Sequence, residues 1–223
     1  MSRLPADPEG FIRANTALEA PAMVPELRLW LASEYVPIWQ ATEAWLEEQN
    51  VDPPYWAFCW PGGQAIARHL LDNPGLVRGK RVIDFASGSG ISALAAARAG
   101  AASVVANDID ALSLIAAKLN ASVNGLAIAT SQDDWLTGHD GAPQADIVIA
   151  GDVCYEREMS ARALAWLRSH ANRGRLVLLG DPGRNYFSAQ GLEELNRYRI
   201  PTTLQLENRG MRETVVWRVL PHP

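Results

Sequence analysis

Three aspartates, Asp84, Asp108 and Asp152, each stand at the end of a short apolar run in this 223-residue chain. The first run leads into a glycine-rich turn, Gly88-Ser89-Gly90, and Asp108 follows 20 residues after Gly88. In an open sheet of parallel strands, ligands bind beside the carboxyl ends of the strands. Carboxylates at such ends accept hydrogen bonds from hydroxyl groups or attract cations. The spacing therefore predicts a site for a ligand that carries hydroxyl groups or positive charge.

Residues 88–93 read G-S-G-I-S-A and fit the G-x-G-x-x-A fingerprint of dinucleotide-binding folds, with Asp108 as the acid that binds ribose. A nicotinamide-dependent oxidoreductase is therefore one interpretation. Asp84 argues against it, because a carboxylate at this turn would repel a pyrophosphate by about 1 kcal/mol or more. S-adenosylmethionine instead carries an ammonium and a sulfonium group that Asp84 would attract, and ribose hydroxyls that Asp108 can bind. A purely structural role for Asp84, capping the loop amides, is the alternative.

Residues after other predicted strands complete the S-adenosylmethionine site. Asp134 and Trp135 follow the third strand, where an acid can accept a hydrogen bond from the adenine amino group and a flat apolar ring can stack on the base. Trp135 is equally a candidate for core packing. Ala86 occupies a position where glycine is usual, and its methyl group should narrow the approach of the backbone to the methionine moiety. The predicted cofactor-binding residues are Trp60, Asp84, Ala86, Ser87, Gly88, Gly90, Asp108, Ile109, Asp134, Trp135 and Gly151.

Residues 52–55 read D-P-P-Y, the tetrapeptide that enzymes methylating the exocyclic amines of DNA bases carry at the end of their fourth strand. The preceding residues, 41–51, form a polar stretch typical of a helix rather than of an apolar strand. We therefore interpret the string as a coincidence. The predicted fourth strand, 145–152, instead runs into Asp152-Val153-Cys154-Tyr155, a D-x-x-Y sequence. Asp152 and Tyr155 are thus the candidate catalytic residues.

Apolar runs alternate with amphipathic stretches from about residue 80 onward, which predicts parallel strands with helices on both faces of a sheet. The predicted strands cover 81–86, 102–108, 126–130, 145–152 and 174–181, and the predicted helices cover 90–100, 111–125, 157–171 and 188–198. Two strand-like runs, 200–207 and 213–220, then flank Asn208-Arg209-Gly210 and predict a hairpin. We expect an α/β, Rossmann-like, seven-stranded methyltransferase sheet of five parallel strands and a C-terminal antiparallel hairpin. Residues 76–223 would form this domain, and residues 1–75 an N-terminal cap of helices and loops for substrate recognition.

The composition limits the classes of partner. Apolar residues make up 48% and charged residues 20%, as in ordinary soluble globular proteins, and no apolar run reaches the roughly 18 residues of a membrane span. The net charge of −5 disfavours nucleic-acid binding, which draws its affinity from a basic field, and suits a cationic partner instead. Two cysteines and four scattered histidines show neither a disulfide framework nor metal-ligand spacing. We expect a reduced, cytoplasmic, monomeric protein without a metal or a membrane partner.

Five of these motifs occur in the order found in a known family of enzymes. They are Trp60-Pro61, Asp84–Gly90, Asn107–Asp110, Asp134-Trp135 and Gly151–Tyr155. Together they resemble the signatures of the seven-stranded protein lysine methyltransferases often called family 16. Residues 11–16, 24–32 and 53–64 look specifically like the branch that acts on the β-subunit of electron transfer flavoprotein. The resemblance spans nearly the whole chain and implies a protein lysine N-methyltransferase that converts S-adenosylmethionine to S-adenosylhomocysteine.

Carried onto this sequence, the resemblance implies that Asp152 and Tyr155 line the channel of the target lysine. A lysine amine has a pKa of about 10.4, so the site must favour its neutral form. We therefore expect Asp152 to capture and orient the amine rather than to act as a strong base, and Tyr155 to supply a hydroxyl acceptor or an aromatic face. The same site could accept a small amine, which leaves a small-molecule amine N-methyltransferase as an alternative. Residues 181–184, D-P-G-R, could contact the substrate or form an ordinary turn, and we interpret them as a turn.

Overall fold

The structure is a computed structural model and describes residues 4–32, 53–137, 141–202, 207 and 210–222. None of the helices in these ranges is both long and apolar enough to span a bilayer. In chain order the elements are α1 (Pro8–Asn15), β1 (Ala17–Glu19), β2 (Leu29–Leu31), α2 (Pro61–Asp72), β3 (Arg81–Phe85), α3 (Ile91–Arg98), β4 (Ser103–Asn107), α4 (Ala111–Val123), β5 (Ala129–Ser131), β6 (Ile147–Gly151), α5 (Arg157–Asn172), β7 (Leu176–Asp181), β8 (Leu192–Pro201) and β9 (Met211–Val219), with short 3-10 turns at Tyr55–Ala57 and Pro74–Leu76.

The main sheet has seven strands in the order β5-β4-β3-β6-β7-β9-β8. Strands β3 to β7 run parallel to one another, and β9 pairs antiparallel with both β7 and β8. The chain moves outward from β3 to β5 and then returns to place β6 beside β3. This reversal opens a crevice at the carboxyl ends of β3 and β6, where ligands of such sheets bind. The predicted fold class is therefore confirmed.

Both faces of the sheet are covered by helices. On one face Val82 of β3 packs in an apolar cluster with residues of α2 and α3. On the other face the next residue, Ile83, packs in a cluster with Trp166 and Leu167 of α5. Strands buried on both faces are apolar almost throughout rather than alternating. This property explains why the central strands are recognisable in the sequence.

The prediction of a helix at 188–198 is wrong, because this stretch forms β8 from residue 192 onward. Its Glu-Glu-Leu composition favours a helix locally, but β8 pairs with β9 from Leu192 to Pro201, and this tertiary pairing outweighs a weak local preference. The first strand of the hairpin thus lies earlier than the predicted run 200–207. Residues 203–206 of that run, and the polar stretch 41–51, lie outside the described residues.

The N-terminal segment packs on the sheet domain in two places. Ile12 of α1 and the fully buried Trp56 of the first 3-10 turn contact one face of α4. Helix α2 begins against the ends of β6 and β7, so closely that a side chain on Gly62 would meet the carbonyl oxygen of Gly180 at 2.3 Å. The three-residue strands β1 and β2 were not predicted. The boundary of the cap at residue 75 stays a prediction.

Candidate active site

A cavity of about 880 Å³ opens at the carboxyl ends of β3, β4 and β6. Its volume lies within the range typical of small-molecule sites. Most of the residues predicted to bind a cofactor line it, as do the two candidate catalytic residues: Trp60, Ala86, Gly88, Asp108, Ile109, Asp134, Trp135, Gly151, Asp152 and Tyr155. The sheet therefore brings together side chains that are far apart in the sequence.

Asp84 lies beneath the glycine turn rather than in the cavity wall, and its side chain is almost completely buried. Its carboxylate accepts hydrogen bonds from the Ser87 hydroxyl at 2.6 Å and from the Ala93 amide of α3 at 3.0 Å. Burial raises the pKa of Asp84 to about 7. The carboxylate thus holds the turn against α3, and its predicted direct contact with a cofactor stays a prediction. Ser87 and Gly90 do not line the cavity either.

Ala86 adopts a left-handed backbone conformation with φ of 53°, the region that glycine tolerates best. We predict that Ala86→Gly raises the free energy of unfolding by about 1 kcal/mol, because it removes the clash between Cβ and the carbonyl oxygen that follows. Urea denaturation checks this. A lower stability of the variant would contradict the interpretation of strain.

Gly90 supplies the matched control in the same turn. It has φ of 82°, and a Cβ placed on it would meet the Cβ of Ala117 at 2.9 Å. Gly90→Ala should therefore destabilise the protein while Ala86→Gly stabilises it. The opposite signs distinguish backbone strain from a general intolerance of this turn to change.

Asp108 stands at the end of β4 and faces the cavity. Its carboxylate accepts from the amide of Gly88 at 2.9 Å and from the amide of Asp110 at 3.0 Å. Burial raises the pKa of Asp108 to about 6. The next residue, Ile109, is 66% exposed although it is apolar, and it lines the same cavity. The pair offers a hydrogen-bond acceptor beside an apolar side chain, as a nucleoside requires.

Asp134 and Trp135 follow β5 and both line the cavity. Asp134 is exposed, and its carboxylate accepts from the amide of Leu136 at 2.9 Å. Trp135 is buried and stacks on Trp166 of α5 with ring centroids 5.9 Å apart. The indole of Trp135 therefore packs in the core and also lines the cavity. The two predicted alternatives, core packing and contact with the base, do not exclude each other.

The Asp152 carboxylate accepts four hydrogen bonds, which tie the end of β6 to two other segments of the chain. The residue lies in the left-handed region with φ of 57°. Its Oδ2 accepts from the amides of Gly62 at 2.6 Å and Gly63 at 3.2 Å, at the start of α2. Its Oδ1 accepts from Nη2 of Arg184 at 2.7 Å and from Nε at 3.2 Å. Burial raises the pKa of Asp152 to about 6 although Arg184 acts in the opposite direction.

Arg184 is a site residue that the sequence interpretation missed. Residues 181–184 do form a turn, in which the Asp181 carboxylate accepts from the amides of Gly183 and Arg184. From this turn the Arg184 guanidinium also donates to Glu207 and lies 5.5 Å from the ring centroid of Trp60. Glu207 in turn accepts from Arg212 at 2.8 Å. The signal in the sequence that could have identified Arg184 is its position just after a predicted strand, where the residues of the site are found.

Aromatic rings form the wall of the cavity on the side of the N-terminal segment. Tyr155 lies 5.8 Å from Tyr55, and Tyr55 lies 6.1 Å from Trp60, between ring centroids. Burial, and secondarily Tyr55, raises the pKa of Tyr155. Pro53 and Tyr55, two residues of the D-P-P-Y string, therefore line the cavity although they precede β3 rather than follow the fourth parallel strand of the chain.

The charges of the cavity favour a cationic ligand. The described residues that line it include five aspartates and two arginines, and one of these arginines, Arg184, is already paired with Asp152. Where a Cβ would be added to Gly88 there is open space, so the backbone of the turn is accessible to a ligand. Among the described residues, in the cavity or outside it, no group of side chains is arranged to hold a metal ion. These features fit the ammonium, sulfonium and ribose groups of S-adenosylmethionine.

A seven-stranded sheet in this order, with a glycine turn after β3 and an acid after β4, defines a Rossmann-like, S-adenosylmethionine-dependent methyltransferase. More narrowly, the chain belongs to the family of electron transfer flavoprotein β-subunit lysine methyltransferases. It is 38% identical to the Xenopus laevis protein of that name over 220 residues, which cover 96% of this chain and 87% of that protein. It is 34% identical to the human protein in an alignment of 234 positions, gaps included, which covers 96% of this chain and 84% of the human protein.

The chain is also similar to methyltransferases with another named target. The family model of ribosomal protein L11 methyltransferase (PrmA) matches residues 69–153. The crystal structure of ribosomal protein L11 methylase from Lactobacillus delbrueckii subsp. bulgaricus superposes with a TM-score of 0.54 at 26% identity, covering 84% of this chain and 94% of that one. The predicted family and the predicted methyltransferase activity are confirmed, and the nicotinamide-dependent alternative is not supported.

Proposed function

We propose that the protein transfers the methyl group of S-adenosylmethionine to lysine side chains of the electron transfer flavoprotein β-subunit. The observation that carries the proposal is identity of 38% across 96% of the chain with a relative named for that reaction. The geometry of the site supports it, because an acid-rich nucleoside cavity adjoins a half-exposed aromatic wall at D-x-x-Y. The net charge of −5 supports a protein substrate over a nucleic acid.

S-adenosylmethionine, when bound, supplies the electrophilic methyl group. Asp108 would accept hydrogen bonds from the ribose hydroxyls, and Ile109 would cover the adenine together with Trp135. Asp84 would keep the glycine turn in place from below through Ser87. The remaining contribution of the protein is to place the amine nitrogen in line with the methyl group, which by itself removes much of the barrier.

The target amine must lose its proton before it attacks. Burial beside other cations lowers the pKa of a lysine. Both carboxylate oxygens of Asp152 are already bonded to donors, and the Arg184 guanidinium balances its charge. Asp152 would thus orient the channel together with Arg184 without holding the amine strongly in its charged form. Water at the open mouth of the cavity would accept the proton.

The proposal predicts transfer of a labelled methyl group to the flavoprotein subunit. The enzyme, labelled S-adenosylmethionine and the recombinant β-subunit are incubated, and mass spectrometry maps the modified residues. We expect label on lysine, and none when S-adenosylhomocysteine is in large excess. Enzyme that binds S-adenosylhomocysteine yet leaves the subunit unlabelled would refute the assignment of the substrate, and label found only in a metabolite fraction would favour the small-amine alternative.

A further inference from the structure

The aromatic residue Tyr55 comes from the N-terminal segment and stands at the mouth of the cavity. Its side chain is 50% exposed, and that of its neighbour Tyr155 is 49% exposed, although both rings line the site. Core residues of this domain are far more deeply buried, so packing alone does not account for two exposed, contacting tyrosines. Exposed tyrosines of this kind are enriched where proteins contact their ligands.

Tyr55 is held rigidly in spite of its exposure. The next residue, Trp56, is fully buried against α4, and the backbone carbonyl of Ala57 accepts from the amide of Ala32 at 2.7 Å. The carbonyl of Tyr55 itself accepts from the indole nitrogen of Trp60 at 2.9 Å. The ring of Tyr55 is therefore presented to the cavity by a fixed backbone, which lowers the entropic cost of binding a ligand against it.

The same aromatic wall already contacts one cation. The guanidinium carbon of Arg184 lies 5.5 Å from the ring centroid of Trp60. The Arg184 guanidinium thereby covers a face of the Trp60 ring, while the rings of Tyr55 and Tyr155 remain half-exposed. Since the oxygens of Asp152 are bonded to Arg184 and to α2, the exposed aromatic faces are the groups left beside D-x-x-Y to receive an amine.

The position of Tyr55 in the sequence links it to the choice of substrate. The family model of ribosomal protein L11 methyltransferase matches residues 69–153 and does not reach Tyr55, whereas the superposition on the solved ribosomal protein L11 methylase covers 84% of this chain. The similarity to the flavoprotein lysine methyltransferases extends over 96% of the chain. Tyr55 therefore lies outside the segment that the family model matches and inside the similarity to the flavoprotein lysine methyltransferases.

We propose that Tyr55, together with Tyr155, forms the wall of the channel for the target lysine, and that Tyr55 is a specificity-determining residue for the protein substrate. The aliphatic chain of the lysine packs on the two rings, and its amine passes along their faces toward the methyl donor. This assignment rests on the proposed function and identifies the residue that recognises its substrate.

The test compares Tyr55→Leu and Tyr55→Phe with the unaltered enzyme and with Tyr186→Leu. Tyr186 is an exposed tyrosine outside the cavity wall and serves as the matched control. For Tyr55→Leu we expect KM for the flavoprotein subunit to rise at least tenfold, with kcat and the Kd for S-adenosylhomocysteine within about threefold of the original values. Tyr55→Phe and Tyr186→Leu should stay within about threefold in KM. A Leu variant with unchanged KM, a parallel loss of S-adenosylhomocysteine affinity, or an equal effect of Tyr186→Leu would each overturn the proposal.

A second measurement separates this proposal from the assignment of the flavoprotein as substrate. Binding of Nα-acetyl-lysine-N-methylamide to the enzyme saturated with S-adenosylhomocysteine is followed by NMR, with the norleucine analogue as the uncharged control. We expect the lysine compound to bind more tightly than its analogue, and Tyr55→Leu to weaken it at least fivefold. If the unaltered enzyme leaves the flavoprotein unmethylated but this pattern holds, only the substrate is wrong. If neither enzyme prefers the lysine compound, the channel itself is wrong.

Discussion

Asp152→Ala should abolish most of the turnover and at the same time lower the free energy of unfolding by about 3–5 kcal/mol. The stability effect arises because the change leaves two amides at the start of α2 without an acceptor and removes one of the two carboxylates that pair with the largely buried Arg184; Glu207 still pairs with it. The turnover effect arises because the same carboxylate fixes the wall of the cavity at D-x-x-Y. Such a loss is a large share of the 5–15 kcal/mol by which a domain of this kind is stable.

Asp152→Ala should change the affinity for the cofactor much less than it changes turnover or stability. Asp152 lies at the end of β6, whereas the predicted ribose acceptor, Asp108, lies at the end of β4. We expect the Kd for S-adenosylhomocysteine of Asp152→Ala to stay within about tenfold, or roughly 1.4 kcal/mol. Calorimetric titration, urea denaturation and methyl transfer on one preparation measure the three quantities together.

Asp152→Asn is the control that separates charge from geometry. Asparagine tolerates the left-handed conformation at this position and keeps one oxygen acceptor, but it removes the charge that pairs with Arg184. We expect it to lose less stability than the alanine variant while turnover remains strongly reduced. Unchanged turnover in either variant would mean that the amine channel lies elsewhere in the molecule.

The parallel strands and the cofactor side of the cavity were predictable because their signals are local. Each central strand is a continuous apolar run, and the acids at the ends of β3 and β4 sit at fixed distances from the glycine turn. The depth of Asp84 was not predictable, since the sequence shows that an acid stands beside the turn but not on which side of it the carboxylate lies. The structure places it beneath the turn, bonded to Ser87.

The opposite wall of the cavity depends on contacts between distant segments, and the sequence predicted Trp60, Asp152 and Tyr155 there but neither Arg184 nor Tyr55. Arg184 meets Asp152 from 32 residues away, and it meets Glu207 from a further 23. Tyr55 meets Tyr155 across almost half of the chain. The D-P-P-Y string was interpreted from the element that it should end. This criterion does not predict that the ring of Tyr55 lines the cavity. The mistaken helix at 188–198 has the same origin, because pairing with β9 decided the structure of β8.

Asp108→Ala should weaken the binding of S-adenosylhomocysteine about 100-fold or more. A carboxylate that accepts two hydrogen bonds from ribose hydroxyls contributes about 1.5–3 kcal/mol through each of them, and about 2.7 kcal/mol corresponds to a factor of 100. The variant also frees the amide of Gly88, which loosens the glycine turn. Asp134→Ala provides the comparison, because the Asp134 side chain is exposed, and a loss of no more than about tenfold is expected there.

The pH dependence of binding gives a sharper test of the same assignment. Burial raises the pKa of Asp108 to about 6 in the free protein, from about 3.9 in an unfolded chain, although the hydrogen bonds from the amides of Asp110 and Gly88 act in the opposite direction. The neutral carboxyl group is therefore favoured by folding, so its contribution to stability is complete below about pH 4 and is lost as the pH rises through about 6.

Hydroxyl donors and a cationic ligand favour the ionised form of Asp108, so the affinity for S-adenosylmethionine should increase from pH 5 to pH 7. In Asp108→Asn, which cannot ionise, calorimetric titration across this interval should show a clearly smaller increase, and an increase equal to that of the unaltered protein would assign the pH dependence to another group and remove Asp108 from the ribose site.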